Sequence, residues 1–134
     1  MSISKNFEDA IKVIETSNGN FTANISDNWS IGQTANGGYS MSLLAKACSK
    51  YLNHKDPLVL SANYIDRVEF GPADIKVSKI ASTKSTSTAH VSLKQKGNLK
   101  IFTTVTFTDF SKMKGLNENL RSEPHFEDYK ICTQ

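Results

Sequence analysis

One segment limits the possible folds of this chain more than any other. Between Gly37 and Asn53 the residues Met41, Leu43, Leu44, Ala45, Ala47, Cys48, Tyr51 and Leu52 recur at helical spacing. The polar residues Ser42, Lys46, Ser49, Lys50 and Asn53 leave only a narrow stripe. A helix lying on a protein surface needs one apolar face, whereas a helix apolar over most of its circumference has to be wrapped by other structure. No other stretch of this length carries the 3.6-residue period, so strands must do the wrapping.

The rest of the chain supplies them. Phe7, Ala10, Ile11 and Ile14 have the spacing of a short N-terminal helix over 7–14. Ser17-Asn18-Gly19-Asn20 is a turn, and its Asn-Gly pair predicts a hairpin between strands at 13–16 and 21–25. Trp29 and Ile31 lead into the loop before the long helix, predicted over 37–53. From Asp56-Pro57 onward Val, Ile, Thr and Phe dominate, as pleated surfaces favour. Strands are predicted over 58–68, 74–81, 86–96 and 99–110, with turns at Phe70-Gly71-Pro72 and Lys96-Gly97-Asn98. Short links predict that these four strands form an antiparallel meander. The fold class is therefore α+β, an antiparallel sheet curled around one long helix. A single domain over 1–110 is expected, followed by an irregular tail over 111–134.

Composition narrows the function. At 134 residues, with 38% hydrophobic and 22% charged side chains, the chain can bury a core without metal or disulfide help. The net charge of +3 comes from scattered lysines, not from a basic run interleaved with aromatics, so no nucleic-acid partner is expected. No apolar run approaches a membrane span and the polar N-terminus is no signal peptide, which predicts a cytoplasmic protein without a membrane partner. Cys48 falls on the apolar part of the helix and reads as a small buried hydrophobe. His54, His90 and His125 have no metal-ligand spacing; they read as surface residues, and neither metal nor cofactor is expected.

The chemistry is expected where the helix begins. Gln33-Thr34-Ala35-Asn36-Gly37-Gly38-Tyr39 is a short polar loop with two adjacent glycines. Glycine lets a backbone approach a ligand closely, and the first N–H groups of a helix have no partner within it. That end of the helix favours a polarised or negative oxygen. Gln95 shares its strand face with Ala89, Val91 and Leu93, which should look toward the helix, so its amide needs a partner there.

The residues Asn36-Gly37-Gly38-Tyr39, the strand Leu60-Ser61-Ala62-Asn63-Tyr64-Ile65, the turn Gly71-Pro72-Ala73-Asp74 and the strand end Leu93-Lys94-Gln95-Lys96-Gly97 follow one another along the chain. This series resembles acyl-CoA thioesterases of the hotdog superfamily, in particular the N-terminal half of the double-hotdog, type II group. The resemblance spans about residues 7–110. It implies a hotdog fold, an acyl thioester such as acyl-CoA as substrate, and pairing with a second hotdog unit, here as a homodimer or higher homo-oligomer joined along the strand 58–68. It aligns Asn36 with a position where the catalytic half of such enzymes carries an aspartate, and Gln95 with a glutamine that orients the attacking water.

On this footing the N–H groups of Gly38 and Tyr39 are candidate oxyanion donors, with Gly37 lining the same turn. Asn36 either caps the helix or orients a water. Asn63, with Ser61 on the same strand face, is a candidate to complete a polar cluster beside Gln95. Asp66 is a candidate acid near the site. The expected activity is thioester hydrolysis at the helix start. The alternative is a non-catalytic acyl-CoA-binding or structural half-domain, and the segment around Pro124 to Cys132 resembles a linker into a second half.

Overall fold

A computed structural model describes residues 6–115. The long helix, α2, runs over Gly37–Tyr51. Before it come the single-turn helix α1 (Phe7–Ala10), the strands β1 (Val13–Ser17) and β2 (Asn20–Ile25), and a small hairpin of β3 (Ser30–Ile31) and β4 (Thr34–Ala35). After it come β5 (Asp56–Tyr64), β6 (Gly71–Ser82), β7 (Ser87–Gln95) and β8 (Asn98–Thr108). Six strands form one antiparallel sheet in the order β1-β2-β6-β7-β8-β5. Residues 116–134 lie outside the described part, and with them most of the expected tail, including His125, Pro124 and Cys132.

Burial explains the curl. Leu43, Leu44, Ala47 and Cys48 of α2 are fully buried, as are Ala89, Leu93, Ile101, Val105 and Phe107 of the sheet. Alternation along β7 turns Ser87, Ala89, Val91, Leu93 and Gln95 toward the helix and His90 and Lys94 away from it,. Each enclosed leucine contributes about 2 kcal/mol from leaving water, so the sheet gains by bending round α2. This α+β layout is the expected hotdog arrangement. Cys48 is the buried hydrophobe expected, its thiol pushed up to about 12 by desolvation,.

Three sequence expectations change. The N-terminal helix stops at Ala10, because Val13 already belongs to β1 and Ile14 is 68% exposed. The last four strands are not one meander. β6, β7 and β8 are, but β5 pairs with β8 at the sheet edge, with Leu60 opposite Val105. The strand predicted over 58–68 therefore ends at Tyr64, and residues 65–70 cross from the β5 edge to β6. His54 is also no surface residue. It is buried, with Nδ1 2.7 Å from Ser87 Oγ and Nε2 3.2 Å from the Lys84 carbonyl.

The hairpin between β1 and β2 turns on Asn18-Gly19, as its sequence requires. Gly19 has φ +76° and is enclosed under β6, where its carbonyl accepts from Val77 N–H at 2.7 Å.

Candidate functional site

The start of α2 is built by three segments. Asn36 is the N-cap, and its Oδ1 accepts from Gly38 N–H at 2.8 Å and Tyr39 N–H at 3.3 Å. The two amides expected to face a substrate oxygen are thus held by the protein's own side chain, and the capping role of Asn36 is the one realised. Gly37 N–H makes no hydrogen bond among the described residues. Tyr64, on the edge strand, donates its hydroxyl to Gly37 O at 2.8 Å. A Cβ on Gly37 would sit 3.2 Å from that hydroxyl oxygen, a tight contact that the Tyr64 side chain would have to ease.

Beside this turn lies a cleft of about 530 Å3. Its walls are Ile31, Thr34 and Ala35 of the small hairpin, Gly37 and Ser40 of α2, and Tyr64, Asp66, Arg67 and Val68 at the beginning of the crossing segment. Ser40 is fully buried and donates its hydroxyl to Asn36 O at 3.0 Å. Ala35 N–H donates to Val68 O at 3.0 Å, which ties the hairpin to the crossing segment and closes one side. A cleft of the same volume lies between α1, β1 and β2. Its charged residues Asp9 and Lys12 pair with each other at 2.6 Å.

Of the expected site residues, Gly37 and Asp66 line this cleft, and Asn36, Gly38 and Tyr39 adjoin it along the chain. Tyr39 contributes more through its ring than through its amide. The hydroxyl donates to Ala10 O and accepts from Ser26 N–H, both at 2.9 Å, which pins α1 and the end of β2 to α2. Its burial raises the phenol pKa. Gln95 does face inward, as expected, but its amide is spent on the backbone. Oε1 accepts from Glu69 N–H at 2.9 Å, and Nε2 donates to Glu69 O at 2.8 Å and Pro72 O at 3.3 Å.

The cluster of Asn63 and Ser61 with Gln95 does not form. In β5 it is Leu60 and Ala62 that pack on the core, and Tyr64 on the same parity reaches Gly37. Ser61 and Asn63 stand opposite Thr104 and Phe102 on the outer face of the sheet. Only Gly37 and Asp66 of the cleft residues were among the sequence candidates; the polar or charged Thr34, Ser40, Tyr64 and Arg67 were not. Ser40 was detectable in principle, because it sits one turn into the helix, four residues from the cap.

Asp66 is held by charge. Lys100 Nζ lies 2.6 Å from its Oδ2 and Arg67 N–H donates to Oδ1 at 2.7 Å. The bond from Lys100, then that from Arg67, keep the carboxyl below the usual carboxylate range. An Asp with a depressed folded pKa stabilises the fold above its unfolded pKa, and that contribution disappears as pH falls through the folded value. The wild-type thermal midpoint should therefore drop more steeply on acidification below about pH 4 than that of Asp66→Asn. Equal slopes in the two melts would show that the ion pair does nothing for folding.

The cap gives a second prediction. Asn36→Ala should cost about 1 kcal/mol in urea unfolding. Asn36→Asp should match or exceed wild type, because a carboxylate suits the positive end of α2. A stability loss in the aspartate variant as large as in the alanine one would contradict the capping assignment.

Among the described residues there is no grouping of His, Cys, Asp and Glu that could hold a metal ion. Nor is any helix there long and apolar enough to cross a membrane.

Comparison with known proteins agrees with this fold. The thioesterase-like protein TwmA of Talaromyces wortmannii is 28% identical over 96 residues, covering 69% of this chain and 28% of its own. A candidate thioesterase II from Thermobifida fusca superposes with a TM-score of 0.78 at 20% identity, covering 88% of this chain and 43% of that one. A hypothetical thioesterase from Streptococcus pneumoniae, determined with coenzyme A, gives a TM-score of 0.61 at 19% identity, covering 72% and 83%. The chain thus spans less than half the length of TwmA and of the Thermobifida protein. The profile of the family described as the acyl-CoA thioesterase N-terminal domain matches residues 25–108, a span that holds the cap, the cleft and every strand from β5 to β8, and the chain belongs to that family.

Proposed function

We propose that the protein binds an acyl thioester, in the first place an acyl-CoA, and hydrolyses it at the start of α2. The observation that carries this reading is the cleft beside the cap, with Gly37 in its wall and the Gly37 N–H unused. A carbonyl oxygen there would accept from that N–H, at the positive end of the helix. The acyl chain would run from the cleft toward a second hotdog unit, supplied by another copy or by a further half of a longer chain. The edge strand β5 supports such pairing, since Leu58 is 46% and Val59 54% exposed there. Family membership and the coenzyme A bound to the pneumococcal structure support the substrate class. Asp66, in the same wall, is ionised at neutral pH; the lowered pKa makes it a modest base, so a water activated by it would react slowly,.

A second reading has its own support. Gly38, Tyr39 and Gln95 all spend their hydrogen bonds inside the protein, which favours an acyl-binding half-domain that leaves hydrolysis to its partner unit. The two readings part in one experiment. Acetyl-, hexanoyl- and palmitoyl-CoA are incubated with the protein while thiol release is followed and binding is measured by calorimetry. Thiol release above background supports the hydrolase. Saturable binding without release selects the binding domain, and neither signal would sink both.

A further inference from the structure

Behind the cleft wall the fold buries a cation. Leu93 of β7 faces Ile101 of β8, but the next residue, Lys94, faces Leu99, so Lys100 is the extra residue of a β-bulge,. Lys100 and its neighbour Ile101 are consecutive and both buried. Lysine is rarely buried this far unless its charge is paired. Its Nζ lies 2.6 Å from Asp66 Oδ2, and its side chain is 9% exposed against 56% for that of Asp66. The carbonyl of Lys100 accepts from Ile65 N–H at 2.8 Å and from Asp66 N–H at 3.2 Å. One residue of β8 therefore grips Asp66 by its main chain and by its carboxylate.

Stability alone does not account for this lysine. An ion pair with a half-exposed carboxylate adds little to a fold, and an apolar side chain in the same place would avoid desolvating an ammonium. What the lysine supplies is a carboxylate held in one place. Asp66 lines the cleft beside the start of α2. Lys100 from β8 and Arg67 from the crossing segment are the charged groups that act on it. Tyr64, in the same wall, has its phenol pKa raised by partial burial and stays neutral. The α2 and hairpin walls carry no titratable side chain.

We infer that Lys100 is a positioning residue that fixes the Asp66 carboxylate in the cleft wall, where Asp66 takes a proton from the attacking water. This rests on the hydrolase reading and adds to it the group that orients the base. In that step the water oxygen bonds to the thioester carbonyl carbon as its proton passes to Asp66, and the carbonyl π electrons move onto oxygen. They return as the C–S bond breaks, its electron pair leaves with the CoA sulfur, and the proton passes from Asp66 to that sulfur. The products are the free acid and the thiol. A held carboxylate meets the water in one orientation and a loose one in several, so the loss of Lys100 falls on the chemical step.

The test follows thiol release from hexanoyl-CoA by the full chain between about pH 4 and pH 7, around and above the ordinary carboxylate range. Lys100→Met, which keeps an unbranched stem without the charge, should lower kcat roughly tenfold and leave KM within about twofold. Its rate should also fall off on the acid side at a higher pH than that of wild type, because Asp66 loses the cation beside it. Lys100→Arg, which keeps a charge, should recover most of kcat and the wild-type pH profile. In an Asp66→Asn background Lys100→Met should have no further effect, since the lysine acts through the carboxylate. The melting temperature of Lys100→Met should stay within about 5 °C of wild type.

An unchanged kcat in Lys100→Met would overturn the assignment. So would a loss carried by KM alone, an unmoved pH profile, an equal loss in the Asp66→Asn background, or a Lys100→Met chain that does not fold, since each marks a structural role or none. If wild type releases thiol and only the Lys100 effect is missing, the hydrolase reading stands and this inference alone falls. If wild type releases none, both fall.

Discussion

Gln95→Ala should destabilise the protein by about 3 kcal/mol, because it leaves half-buried main-chain groups of Glu69 and Pro72 without their partners and opens a cavity where the Gln95 side chain was. Gln95 is 4% exposed and makes three hydrogen bonds to that backbone. In a domain of this size the loss corresponds to a fall of roughly 10 °C in melting temperature. Gln95→Leu, which keeps most of the volume, should recover only the cavity part. The crossing segment also carries Asp66, Arg67 and Val68 into the cleft wall. Acyl-CoA binding by the alanine variant should therefore weaken even well below its melting temperature. A variant as stable as wild type but without thiol release would instead assign Gln95 directly to the chemistry.

Gly19→Ala should cost a similar amount, about 3 kcal/mol, and should do so without touching the cleft. Its φ of +76° suits glycine alone, and a Cβ placed there would lie 2.6 Å from Val77 O, a backbone atom in the β6 strand. The left-handed conformation contributes about 1–2 kcal/mol of this for a residue with a side chain. The rest comes from pushing β2 off β6, whose ladder includes Phe21 opposite Ile75. The expected result is a lowered urea midpoint with acyl-CoA affinity per folded molecule unchanged. A loss below about 1 kcal/mol would mean that β6 gives way at Val77 more easily than a hydrogen-bonded interior strand should.

These two positions mark where the sequence was readable and where it was not. Asn18-Gly19 announces its turn by residue type alone, and α2 announces its burial through the width of its apolar stripe. Both are local signals. The inward face of Gln95 also followed from strand alternation. Its partners did not, because Glu69 and Pro72 are brought to it by the crossing of residues 65–70, which no local pattern encodes.

The face of β5 failed for a related reason. Leu58, Val59 and Leu60 are consecutive apolar residues, so either parity of the strand could have been buried, and the irregular register between Pro57 and Val59 removes the remaining clue. Ser61 and Asn63 were correctly placed on one face, but it is the outer one. At the helix start the polar loop and its glycines were legible as a site. Which amides stay free was not, since Asn36 can both cap and offer a side chain, and only its geometry decides. Lys100 gave no signal of its own, because a bulge that buries an ammonium is a property of the strand pairing and not of residue spacing.

The pairing of β5 with β8 also sets the order in which the molecule can assemble. The rungs of that ladder join residues from 37 positions apart (Tyr64 and Ile101) to 52 (Asp56 and Thr108), whereas the β1–β2 and β7–β8 hairpins begin to close over three,. Closure entropy delays the long rungs until the local hairpins and α2 have collapsed, so the edge strand docks late. Refolding after dilution from urea should show fast growth of helical circular dichroism, with hydrogen-exchange protection of the β5–β8 backbone amides trailing behind it.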